Sequence, residues 1–197
     1  MRLGSGKTRS LRRYNGRPPT IIRDGPSALT SRAVTTEARC AKGVLHRHFS
    51  DFDTFLAELV LDRIARIHDQ GAALRNCAGT GTVAGNLTGA LMALFESVAL
   101  EILGLVTSRH DLLARLRRTT PTGIPVLTDA AAMIASYLTT ERDLGRITAD
   151  ADIDTLAPML IGAGHLLFAG REGIPPEARA VHTMVTTVIA GVVQEPL

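Results

Sequence analysis

Tryptophan is missing from this 197-residue chain, and aromatic residues make up only 4% of it. With 45% of residues hydrophobic, any core must be filled mainly by aliphatic side chains, and intrinsic disorder is excluded. Cysteine is scarce as well. Cys40 and Cys77 cannot staple a small secreted scaffold, and two free thiols fit a reducing cytoplasm, the expected localisation. Long apolar runs are absent: the window Ala90–Thr107 carries Glu96 and Glu101, and Ala157–Gly170 carries His165. Neither offers the ~20 uninterrupted apolar residues of a membrane span, so no membrane partner is expected. The basic N-terminus has no hydrophobic stretch behind it, which argues against a secretory signal. Strict apolar/polar alternation, the mark of a half-buried strand, is found nowhere.

What is present is charge, unevenly placed. The net charge is +3, but residues 1–50 hold 11 Lys/Arg against two acids, Asp24 and Glu37, a balance of +9. The other 11 basic residues face 17 acids over 51–197, a balance of −6. A basic head on an acidic, apolar body points to a polyanion-binding module joined to something else.

Along the chain, residues 1–26 are rich in Gly, Pro and Arg around Gly16-Arg17-Pro18-Pro19. The two prolines forbid a continuous helix there, so the stretch reads as an extended basic arm. From Ser27 the spacing predicts helices. The first covers about Thr30–Ala38 and the second about Ala41–His48, with Leu45 and Phe49 four residues apart on its inner side. Ser50 and Asp53 form a capping-box-like start to a third and longer helix, whose stripe is Phe52, Phe55, Leu56, Leu59, Val60, Ile64 and Ile67. Two short helices and a buttress make a helix-turn-helix pattern. Further helices are expected near 82–105, through Asp111–Arg118, over Val126–Glu141, over Ile153–Ala169 and over Pro176–Val193. The fold class is therefore all-α: a basic arm and helix-turn-helix unit over 1–66, and a helical body for ligand binding and dimerisation over 67–197.

Three motifs that imitate chemistry dissolve on inspection. Gly4-Ser5-Gly6-Lys7-Thr8 resembles the tail of a phosphate-binding loop, but the glycine required five positions before Gly6 is Met1 and no strand leads in. Asp150, Asp152 and Asp154 imitate a calcium loop whose later Gly and Glu positions hold Thr155 and Ile161, so a helix N-terminus is the better reading. His46 and His48 lack the further ligands a metal needs. No catalytic residue, metal or cofactor is expected.

The helix-turn-helix stands apart because pattern, charge and position agree. Thr30, Arg32, Val34, Ala38, Gly43, Leu45, His48 and Phe49 match the pattern T-x-R-x-I-A-x-x-A-G-V-S-x-G-x-L-Y-x-H-F, and this segment resembles the DNA-binding segment of the TetR family of repressors. Leu144-Gly145-Arg146-Ile147 before Asp152 and Asp154 is similar to that family's approach to its penultimate helix. Arg39, Ala41, His46 and Phe52 depart from its turn Gly, cap Ser, phosphate-contacting Tyr and helix-opening Lys. Its first helix is shortened or atypical here, since only Thr20–Asp24 lies between the arm and Gly25-Pro26.

The resemblance implies a DNA interface in which Lys42, Gly43, Val44, His46 and Arg47 enter the major groove, Thr30 and Arg32 hold the flanking phosphates, and Arg17 in the arm reaches the minor groove. It implies an effector pocket drawn from Met92, Phe95, Val98, Leu112, Leu116, Met133, Ile134 and Tyr137, with an apolar small molecule as ligand. It implies a homodimer through Leu160, Gly164, Phe168, Val181, Val185, Val188 and Ile189, although the same residues could pack within one chain. The implied function is that of a ligand-responsive repressor on a palindromic double-stranded DNA operator. The alternative is a helical dimer that has lost specific DNA binding and serves as a ligand carrier or protein-interaction module.

Overall fold

The computed structural model describes Thr30 and residues 47–95, 104, 106–118, 123–169 and 174–194. Six helices are bounded among them: α1 Phe52–Asn76, α2 Val83–Leu94, α3 His110–Leu116, α4 Leu127–Asp143, α5 Ile153–Ala169 and α6 Ala178–Ile189. Residues 47–48 and 106–108 are also helical. The only β pairing among the described residues is an isolated bridge of Ile147 with Val193, so the all-α expectation holds. The helix expected over Thr30–Ala38, the greater part of that over Ala41–His48, and Cys40 lie outside the described residues.

Helix starts follow local side-chain chemistry. At α1 the cap is Asp51, one position later than the spacing of Ser50 and Asp53 suggests: Thr54 N donates to Asp51 Oδ1 at 2.6 Å, and the Ser50 hydroxyl supports Asp51 Oδ2 at 3.1 Å. Asp53 is thereby freed for another partner. Thr82 caps α2 through Gly85 N at 3.0 Å, and Asp152 caps α5 through Thr155 N at 3.1 Å and the Thr155 hydroxyl at 2.7 Å. The aspartate triplet is thus a helix start. Bonds from Thr54 hold the Asp51 carboxyl below its ordinary value, and bonds from Thr155 do the same for Asp152. A lowered carboxyl contributes stability above its unfolded value of 3.8, and this is lost as pH falls through the lowered value. At the end of α4, Gly145 takes φ +74°, and Gly145 N and Arg146 N bond back to Arg142 O and Glu141 O, both at 2.9 Å. This is the glycine-terminated helix end of the Schellman type.

The chain divides into two units, Met1–Arg63 with Ser97–Pro125 and Ile64–Glu96 with Val126–Leu197. Helix α1 runs from the first into the second. In the first, the aromatic trio Phe49, Phe52 and Phe55 packs at the base of the helix that ends at His48, with Phe49 edge-on to Phe55 at 5.2 Å. In the second, α4 packs on α5 and α2, and α6 on α2 and α5. Leu87, Leu91, Ile134, Leu138, Leu160, Val181 and Val185 are completely buried there.

Small residues decide how closely these helices meet. A Cβ at Gly71 would stand 3.0 Å from Met133 Cγ, and one at Gly164 would stand 2.7 Å from Phe95 Cε2. Phe95 is buried and has little room to retreat. Gly164→Ala is expected to destabilise by about 1–3 kcal/mol through overpacking. Gly89→Ala, in mid-α2 with open space around it, is expected to stabilise by about 0.5–1 kcal/mol by helix propensity alone. Thermal melts of the two variants check the pair; equal shifts of one sign would refute the packing account.

Candidate functional site

The C-terminal end of the implied reading helix lies within the structure. Arg47 is helical and exposed, His48 is half-buried, and Phe49 is buried against Phe55. A buried Phe two residues after an exposed Arg anchors the helix end. Thr30 is exposed and outside any helix. Arg17, Arg32, Lys42, Gly43, Val44 and His46 lie outside the described residues.

The residues assigned to an effector pocket fall into both units. Phe95, Met133, Ile134 and Tyr137 are buried and Met92 half-buried in the second unit; Leu112 and Leu116 are buried in the first. Val98 lies outside the described residues. Tyr137 also has its hydroxyl committed. It accepts from Asn86 Nδ2 at 3.0 Å and donates to Glu141 Oε1 at 2.5 Å. Burial and the Glu141 carboxylate push the phenol well above its ordinary value. His165 is the better polar candidate for a ligand. Its ring lies 6.4 Å from that of Phe95, and its enclosed Nδ1 has no hydrogen-bond partner among the described residues.

Six of the seven residues assigned to a dimer surface, Leu160, Gly164, Phe168, Val181, Val185 and Ile189, are buried inside their own chain, and Val188 is half-buried. Their apolar stripes close the core of the second unit. What α5 leaves open is its other side, where Met159 is 51% and Leu166 is 77% exposed with Gly162 between them. A helix apolar all round conceals from sequence which of its faces the chain itself covers.

Sequence reasoning also missed a buried polar cluster. Glu141 is fully buried and receives Tyr137, Arg146 Nη1 at 3.2 Å from Oε2, and Gly79 N at 3.3 Å. Asn86 further donates to Cys77 O and Thr80 O, and Arg146 to Gly81 O at 2.6 Å. Together they pin the 77–82 loop to the end of α4. Among the described residues none of the cluster's buried side-chain polar atoms is left without a partner, and the cluster acts as a staple. Among the described residues no group of three His, Cys, Asp or Glu could hold a metal ion, and no helix is long and apolar enough to cross a membrane.

Among the described residues the chain is all-α, with an exposed Arg47 one residue before a helix end, a long helix α1 and a helical second unit. Solved structures specify it further: the fold is that of the TetR-family regulators. A protein from Mesorhizobium loti assigned to the TetR-family transcriptional regulators aligns at TM-score 0.66 and 17% identity, covering 97% of this chain and 100% of its own. The fatty acid degradation regulator FadR from Bacillus halodurans aligns at 0.68 and 13% identity, over 96% of this chain and 97% of its own. SmeT, the repressor of the Stenotrophomonas maltophilia multidrug efflux pump SmeDEF, aligns at 0.62 and 15% identity, over 96% and 91%. No protein-family model and no curated protein matches the sequence.

Proposed function

We propose that the chain is a dimeric, ligand-responsive transcriptional repressor that binds a palindromic DNA operator and is released by a mainly apolar small molecule. The observation that supports this reading is the nearly full-length likeness to regulators, FadR and SmeT among them, coupled to a basic segment whose sequence reads as a helix-turn-helix and whose last turn carries the exposed Arg47. Arg47 and Lys42 contact base edges or phosphates, while Thr30, Arg32 and the arm with Arg17 position the backbone. The mainly aliphatic core of the second unit favours an apolar effector, and the unpaired His165 Nδ1 offers it one hydrogen bond. Two copies meet through the open side of α5, Met159, Gly162 and Leu166, together with the outward residues of α6.

The mechanism is linkage. Reading heads on a two-fold dimer must match half-sites about 34–36 Å apart, so an effector that favours another spacing weakens operator binding by its differential affinity for the two states.

Fluorescence anisotropy with duplex DNA taken from upstream of the chain's own gene tests this reading. A salt-sensitive, sequence-preferring complex is expected, with Arg47→Ala and Lys42→Ala each weakening it by roughly 5–100-fold. Absence of any such complex would sink the repressor and favour the carrier or interaction module. Unchanged affinity in both variants would move the reading surface elsewhere.

A further inference from the structure

The segment 97–125 leaves the second unit after Glu96, groups with the N-terminal 63 residues, and rejoins the second unit at Val126. Its described part is fastened to the first turn of α1 by two arginines. Arg109 Nη1 donates to Asp53 Oδ1 at 3.0 Å, and its guanidinium carbon lies 5.5 Å from the centroid of the Phe52 ring. Arg115 Nη1 donates to Thr54 Oγ1 at 2.8 Å, and its Nη2 lies 3.8 Å from Asp51 Oδ2. The contacts therefore fall on four consecutive residues, Asp51 to Thr54, which are the helix cap and the three positions after it. Phe52 stacks on Phe55 at 5.9 Å, and Phe55 meets Phe49, which closes the helix bearing Arg47.

We propose that Arg109 and Arg115 are positioning residues, a clamp by which the inserted segment fixes the start of α1 and through it the orientation of Arg47. The inference rests on the repressor reading for its consequence, but the clamp itself has an independent readout. Planar guanidinium groups suit such a clamp, because one Arg can bond a carboxylate along its edge while its face lies on an aromatic ring. The pairs are partly exposed, with side-chain exposures of 30% and 41% for Arg109 and Asp53, so the clamp can open without exposing a buried charge.

Charge exchange tests it. Asp53→Arg and Arg109→Asp are each made alone and together in the full chain, and each protein is measured by anisotropy with the upstream duplex and by amide hydrogen exchange over 52–63. Each single variant is expected to weaken DNA binding by roughly tenfold and to accelerate exchange in the first turns of α1. The double variant, with the pair restored in reverse, is expected to recover most of both. Wild-type behaviour in the single variants, or a double variant no better than either, overturns the proposal. If the wild-type chain binds no DNA, the repressor reading fails, and exchange alone decides: acceleration in the singles with recovery in the double supports the clamp, and unchanged exchange rejects it.

Discussion

Glu141→Ala is expected to lower the unfolding free energy by about 3 kcal/mol, seen as a fall in Tm of roughly 6–12 °C for a chain of this size. The reason lies in what the alanine would abandon. Glu141 is fully buried, and its carboxylate receives the Tyr137 hydroxyl, the Arg146 guanidinium and Gly79 N. Arg146 keeps its bond to Gly81 O and is 23% exposed, so it recovers part of its hydration and the cost stays near the lower end for a broken buried pair. Glu141→Gln keeps an acceptor for Tyr137 but loses the charge opposite Arg146, and is expected to cost less. A loss under about 1 kcal/mol for Glu141→Ala would show that the cluster does not hold the 77–82 loop to α4.

The same cluster has a signature in alkali. The Tyr137 phenol is held above its ordinary value of 10.0, first by burial and then by the Glu141 carboxylate. A raised value in the folded state means that its stabilisation is complete below pH 10.0 and is lost as pH rises beyond it, because only the unfolded chain then readily loses the proton. Tyr14 is the only other tyrosine, and Lys7 and Lys42 the only lysines, so few groups compete in that range. Between about pH 9 and 11, stability measured by denaturant should fall more gently in Tyr137→Phe than in the wild type.

How much of this is legible in the sequence depends on the range of the interaction. The span Ile153–Ala169 agrees with its sequence reading residue for residue, because a long apolar stretch between an acidic start and a Gly-rich end has no competing local structure. The cap of α1 lies one residue from its expected place, since Ser50 and Asp51 can each cap, and the partner of Asp53 in the folded chain, Arg109, is 56 residues away and out of reach of local spacing. Glu141 is hard to read because a Glu near a helix end usually faces water, and its partners at Gly79 and Arg146 lie on either side of it in sequence, the first 62 residues away. Tyr137 and Glu141 at helical spacing, followed by Gly145 and Arg146, are the available signal. The pocket residues share an apolar pattern with the core of both units, and periodicity cannot say to which unit a buried leucine belongs. For the dimer surface the pattern misleads: apolar residues that suggest a meeting face for two copies are mostly covered by the chain itself.

That reversal leads to the second large effect. Leu166→Glu is expected to convert a dimer into a monomer. At 77% exposure Leu166 contributes little to its own chain's core, so a glutamate there should leave the thermal stability of the isolated subunit nearly unchanged. In the proposed dimer the two-fold axis brings Met159, Gly162 and Leu166 of each copy against the other, and a carboxylate on both sides is buried without a partner. At several kcal/mol per unpaired buried charge, the dissociation constant should rise by roughly a hundredfold or more. Light scattering at micromolar concentration reads the change directly. Operator affinity should fall with it, because one reading head engages only a half-site. A Leu166→Glu protein that remains a dimer would place the interface elsewhere, and one that unfolds would show that Leu166 supports its own chain. Val185→Glu is the control: it strikes a fully buried residue of α6 and is expected to unfold the second unit, whereas a meeting face would only release monomers.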